Sequence, residues 1–154
     1  MIAAIDGACV GGALEFAASC DLRLGTPRVR LGTPEVTIGL VLSNAGTIFL
    51  PTVLGETAAR QLLLTGAIQD AAWGERHGFF TQVSDDLDEC VTRWSFAFDA
   101  TSRTAVDRTK AMLNDRFGEQ LGRAMEREER NCVDLFDGPD APGALRGFAE
   151  ARRG

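Results

Sequence analysis

Two glutamates and one pair of glycines are the residues of this 154-residue chain whose types and spacing suggest chemistry. Glu15 stands three residues after Gly12 in the pair Gly11-Gly12, and Glu35 follows twenty positions later in Gly32-Thr33-Pro34-Glu35. Glycines ahead of a run of helix formers let the backbone approach a ligand closely. They also aim unpaired N–H groups at an anion from the positive end of the helix dipole. Paired glycines before a helix more often serve close packing, and a first-turn glutamate is an ordinary dipole partner. The second carboxylate, fixed behind a proline, shifts the balance: two carboxylates and an oxyanion donor make a candidate acid/base site.

The elements that must position these groups are short. Ile2 to Ile5 reads as a strand, Asp6-Gly7 as a turn, and Ala13 to Ser19 as a helix, giving the order strand, glycine loop, helix. Asp21 to Gly25 and Val29 to Gly32 read as strands on either side of Thr26-Pro27, with Arg28 and Arg30 alternating with apolar neighbours as on a half-exposed strand. Glu35 opens the apolar run Val36 to Leu42, which ends at Ser43-Asn44-Ala45-Gly46, a turn or helix start. Thr47 to Leu54 is apolar and interrupted by Pro51, and Glu56 to Thr65 has helical spacing between Gly55 and Gly66. Asp70 reads as the N-cap of a helix over Ala71 to His77, with Phe79 to Val83 as a strand beyond it. After Ser84 the pattern turns helical: Leu87 to about Phe98 behind Asp85-Asp86, Thr104 to Leu113, Glu119 to Phe136, and Pro142 to Arg153. Within the third of these, Met125-Glu126-Arg127-Glu128-Glu129-Arg130 reads as a solvated, ion-paired helix face.

The words IAAIDGACVGGALEFAASCDLRL, LGTPEVTIGL, AGTIFLPTVLG, TAARQLLLTG and GFAEARR resemble the enoyl-CoA hydratase/isomerase (crotonase) superfamily. The resemblance runs from residue 2 to the C-terminus and is looser after about Asp85. It implies an α/β fold, the ClpP/crotonase spiral of ββα units, incomplete at the N-terminus. Residues 1–84 would be its second half and residues 85–154 a C-terminal helical trimerisation region. It implies that the backbone N–H of Gly12 is an oxyanion-hole donor, that Glu15 and Glu35 are catalytic, and that Gly11, Ser43 and Asn44 border the substrate. Hydratases usually read Pro-Gly-Ala-Gly-Gly where this chain reads Leu42-Ser43-Asn44-Ala45-Gly46, and the first glycine there helps place the attacking water.

The activity so implied is that of a 2-enoyl-CoA hydratase in fatty acid metabolism (β-oxidation), with enoyl-CoA isomerase as the close variant. A catalytically impaired homologue, acting as a non-catalytic subunit or a remnant, is the alternative. A generic anion-binding α/β module is disfavoured by the joint match at Gly12, Glu15 and Glu35. No separate cofactor is implied, since coenzyme A is part of the substrate, and the other partners are further copies of the chain in a trimer or hexamer. Met1 heads a strand that lies mid-protein in the family, so roughly a hundred preceding residues are implied to be missing, with the other oxyanion donor and most of the CoA pocket. The chain alone is therefore expected to hydrate crotonyl-CoA negligibly. The resemblance also brings Arg152 or Arg153 toward a CoA phosphate.

Composition is that of a soluble globular domain with a sizeable core, 45% hydrophobic and 25% charged. A net charge of −6 without a dense basic run argues against nucleic acid as a partner. Cys9, Cys20, Cys90 and Cys132 lack C-x-x-C or metal-like spacing and read as reduced cytoplasmic thiols. His77, the single histidine, fits a helix C-terminus better than a triad or a zinc site. No cationic leader and no apolar run of membrane-spanning length is present in the sequence given.

Overall fold

The turn at Asp6-Gly7 divides one extended run into two strands, β1 (Ile2–Ile5) and β2 (Ala8–Val10), which join different sheets in the computed structural model of the chain. Residues 1–139, Ala141 and Gly143 are described. The expected last helix therefore lies outside the described residues apart from Gly143, as do Arg152 and Arg153. Helix α1 (Gly12–Ala18) carries the chain back, and β3 (Leu22–Gly25) and β4 (Arg30–Gly32) repeat the same division. β3 runs parallel to β1, with Ile2 opposite Leu22, and β4 runs parallel to β2, with Ala8 opposite Arg30. A parallel pair needs a crossover, here a helix, so each strand-strand-helix unit stacks on the last. This is the spiral of ββα units expected from the sequence.

The first sheet has the order β1-β3-β6, closed by the parallel strand β6 (Gln82–Val83). The second has the order β2-β4-β5, closed by the antiparallel strand β5 (Ile68–Asp70). Among the described residues β1 and β2 each stand at a sheet edge. Between β4 and β5 lie a 3-10 turn at Pro34–Ile38 and helices α2 (Gly46–Leu54) and α3 (Glu56–Thr65). The helix α4 (Ala71–Arg76) follows β5, its N-cap Asp70 accepting the Trp73 N–H at 2.7 Å. Leu14, Leu31, Leu50, Leu62 and Phe79 are completely buried in the core shared by α1, the sheets and α2 to α4. Burial of each such side chain stabilises the fold by about 1.5–3 kcal/mol. The remaining described elements are α5 (Leu87–Asp99), α6 (Arg103–Asp115) and α7 (Gly118–Phe136). None of the described helices is long and apolar enough to cross a membrane.

The structure departs from the sequence reading in five places. β2 occupies residues expected to be turn and loop, and β5 was not expected at all; each is only 3 residues long, too short for an alternation to show. Phe79 and Phe80 are not strand: they turn inward as core anchors at an edge-to-face distance of 5.0 Å, leaving Gln82–Val83 as the strand. The Val36 to Leu42 run becomes a 3-10 turn closed by Gly39 rather than one apolar element. Glu128 is buried inside the stretch expected to be a solvated face.

Candidate active site

The site is built around the start of α1. Gly11, at φ 64°, is the N-cap, and its N–H bonds the carbonyl of Gly32 at 2.9 Å, which ties the loop to β4. That backbone conformation favours glycine. A side chain there would also collide with Glu35, since a Cβ on Gly11 would stand 2.7 Å from Glu35 Oε1. The N–H groups of Gly12 and Ala13 open the helix and meet no acceptor among the described residues, and Gly12 is exposed. An anion approaching the loop would find these donors free.

Glu15 lies one turn into α1 and is 1% exposed. Its Oε2 accepts the backbone N–H groups of Asn44 at 3.0 Å and Gly46 at 3.2 Å, and the Asn44 side-chain amide reaches Oε1 at 3.5 Å. The carboxylate is thus anchored on the N-terminus of α2, met only by donors, as suits an acceptor-only group. Gly46 permits this approach, because a Cβ there would stand 2.7 Å from Glu15 Oε2.

Glu35 is held differently. It stands in the first turn of the 3-10 segment, behind Pro34, with its carboxylate against Gly11 and its Oε2 buried without a hydrogen-bond partner. Burial pushes its carboxyl pKa above the usual value; a bond from its own backbone opposes the shift, and the charge of Glu15 adds to it. The two carboxylates are therefore electrostatic neighbours on either side of the glycine loop.

A cavity of about 540 Å³ opens beside Glu35, walled by Thr33, Val36, Leu42, Ile48 and Leu63 and closed by α7. Thr33 Oγ1 is also buried there without a partner. Of the six residues expected at the site, only Glu35 lines this cavity, while Gly11 meets Glu35 and Asn44 meets Glu15 and borders Gly12. Ser43 is exposed, and its hydroxyl accepts from the Asn44 side chain at 3.3 Å. Asn44 Nδ2 lies 3.4 Å from where a Cβ on Gly12 would be, so the Asn44 amide borders both the loop and Glu15. A larger hollow of about 750 Å³, between the far end of α1 and α6, contains none of the expected residues.

Glu128 was missed by the sequence reading. From α7 it accepts the N–H groups of Ala45 at 2.6 Å and Thr47 at 3.0 Å and the Thr47 hydroxyl. A signal did exist: Leu121, Ala124, Glu128 and Cys132 recur at helical spacing on the less exposed face of α7, which puts this one glutamate inward. Among the described residues no group of His, Cys, Asp and Glu could hold a metal ion, and the four cysteines are free, with burial pushing the Cys9 thiol up to about 11.

The family model described as enoyl-CoA hydratase/isomerase matches residues 1–154. A protein named probable enoyl-CoA hydratase from Mycobacterium leprae is 31% identical over 154 residues, 99% of this chain and 60% of that protein. A crotonyl-CoA hydratase of Syntrophomonas wolfei is 30% identical over 155 residues, again 99% and 60%. The crystal structure of an enoyl-CoA hydratase from Mycobacterium avium subsp. paratuberculosis superposes with a TM-score of 0.91 at 22% identity, covering 97% of this chain and 62% of that one. The chain thus spans about 60% of the length of these curated relatives.

Proposed function

Because this chain belongs to the enoyl-CoA hydratase/isomerase family, we propose that it provides the acid/base half of a 2-enoyl-CoA hydratase site, acting on an acyl-CoA thioester. The observation that carries this reading is the meeting, at one loop, of a Gly12 N–H without an acceptor among the described residues, a Glu15 carboxylate fixed by three donors, and a Glu35 carboxyl with an orphan oxygen. The thioester oxygen would accept from Gly12 N–H. Water attacks the β-carbon while Glu15 takes its proton, and the double-bond electrons move onto the thioester oxygen as an enolate. The enolate collapses as Glu35 delivers its proton to the α-carbon, and solvent then returns a proton from Glu15 to Glu35. Burial of Glu35 suits the acid role, since it keeps the proton to higher pH. Coenzyme A is part of the substrate, and no separate cofactor is invoked.

Two variants have specific support. Asn44 Nδ2 sits at Glu15 Oε1, beside the place an attacking water would occupy. That favours a proton shift between carbons, the isomerase reaction, which needs a carboxylate to carry the proton and no water. The open edges of β1 and β2 among the described residues favour assembly with other strands or copies, as a non-catalytic subunit would require.

The test is crotonyl-CoA hydration, followed by loss of the conjugated thioester. It compares the chain alone with the chain joined behind the segment that precedes the matched stretch in its relatives. The chain alone is expected to be nearly inactive, since one oxyanion donor is worth about 10²–10³ in rate. The joined protein is expected to turn over, and Glu15→Gln to abolish that turnover. A joined protein that folds and binds CoA yet hydrates nothing would leave the isomerase or non-catalytic reading, and isomerisation of a 3-enoyl-CoA separates those two.

A further inference from the structure

Helix α2 begins between two carboxylates that come from opposite ends of the chain. On one side Glu15 accepts the N–H groups of Asn44 and Gly46; on the other Glu128, 5% exposed, accepts those of Ala45 and Thr47 and the Thr47 hydroxyl. Successive N–H groups therefore go to alternate carboxylates. Four backbone donors and the positive end of the helix lie between the two like charges and make their approach tolerable.

The residue at the centre of this arrangement is Ala45. Its backbone is left-handed, φ 61° and ψ 24°, and it is the only non-glycine residue with positive φ among the described residues. Alanine is disfavoured there and stays only where its surroundings hold it. The bond from Ala45 N–H to Glu128 is such a hold, applied at the residue between the two N–H groups that grip Glu15.

We propose that Glu128 is a positioning residue for Glu15. By retaining the N–H groups of Ala45 and Thr47 it keeps the left-handed turn, and the turn keeps Asn44 and Gly46 N–H aimed at Glu15 Oε2. The restraint passes from α7 through the start of α2 to the carboxylate on α1. Glu128 also lines the cavity beside Glu35, so α7 shapes both the wall of the pocket and the seat of the base. The inference rests on the acid/base reading of Glu15.

The test uses Glu128→Gln, Ala45→Gly and the double variant. Glutamine keeps the shape but turns one acceptor into a donor that faces a backbone N–H. Glycine adopts the left-handed turn without being held. In the chain itself, Glu128→Gln is expected to speed hydrogen exchange at the Asn44 and Gly46 amides at least tenfold, and adding Ala45→Gly is expected to restore most of that protection. In the joined protein, Glu128→Gln is expected to lower kcat about 10²-fold with KM little changed, as a misplaced catalytic group does, and the double variant to recover at least tenfold. A folded Glu128→Gln protein with kcat within twofold of the parent, or amide protection that Ala45→Gly does not restore, would overturn the proposal. If the parent turns over no enoyl thioester the acid/base reading fails, and the exchange result still decides whether Glu128 holds the Glu15 seat.

Discussion

Glu15 and Glu35 flank the same glycine loop, and their surroundings are opposite. Glu15 is completely buried yet fully engaged, fixed to the start of α2 by two backbone N–H groups and a side-chain amide. Glu35 is less buried, but it has an oxygen without a partner and a raised pKa. Depth alone thus does not decide how a carboxylate is held: the supply of donors does, and Glu15 has three where Glu35 Oε2 has none. In the proposed reaction this difference in surroundings would suit the two side chains to different roles.

The largest effect should come from Glu15→Gln in the joined protein, a loss of kcat of about 10³-fold or more. It should also lower stability by about 1–2 kcal/mol in urea unfolding, because charge-assisted bonds at α2 are lost. A variant as active as the parent would remove Glu15 from the chemistry.

Gly11→Ala comes next. The new methyl is forced into a left-handed backbone and against Glu35 Oε1, with an expected cost of about 1–3 kcal/mol in unfolding experiments. Activity should fall with it as Glu35 is displaced.

Glu35→Gln should separate the two carboxylates by sign. A folded-state pKa above the usual value favours the protonated form. Its stabilising effect is therefore present below the ordinary glutamate range and is lost as pH rises through the raised folded value. At neutral pH the glutamine variant should melt a few degrees higher than the parent, on the order of 3 °C, with the gap closing toward pH 4, while turnover drops. A lower melting temperature at neutral pH would mean that Glu35 is well solvated. Smallest of all, Thr33→Val removes a buried hydroxyl without a partner and should be neutral or stabilising by about 1 kcal/mol; clear destabilisation would reveal a hydrogen bond at that site.

Much of this was legible in the sequence because glycine and proline mark backbone events directly. Asp6-Gly7, Gly11-Gly12, Thr26-Pro27 and Pro34 each fall where the chain turns or changes sheet. Asp70 and Asp86 cap the helices they were expected to cap. Three-residue strands such as Ala8–Val10 escape because they are defined by partners distant in sequence rather than by any local period. Glu128 escaped for a related reason. Within Met125 to Arg130 every charge fits a solvated helix, and Glu128 stands out only when the spacing of Leu121, Ala124 and Cys132 along the whole of α7 is taken with it.

The proposed chemistry turns on Gly12. Its most direct test is a crystal structure of the joined protein with an enoyl-CoA bound. The thioester oxygen is expected within about 3 Å of the Gly12 nitrogen, with Glu15 and Glu35 on either side of the double bond. A thioester seated in the hollow under α6, or a Gly12 N–H covered by the Asn44 side chain while substrate is bound, would contradict it.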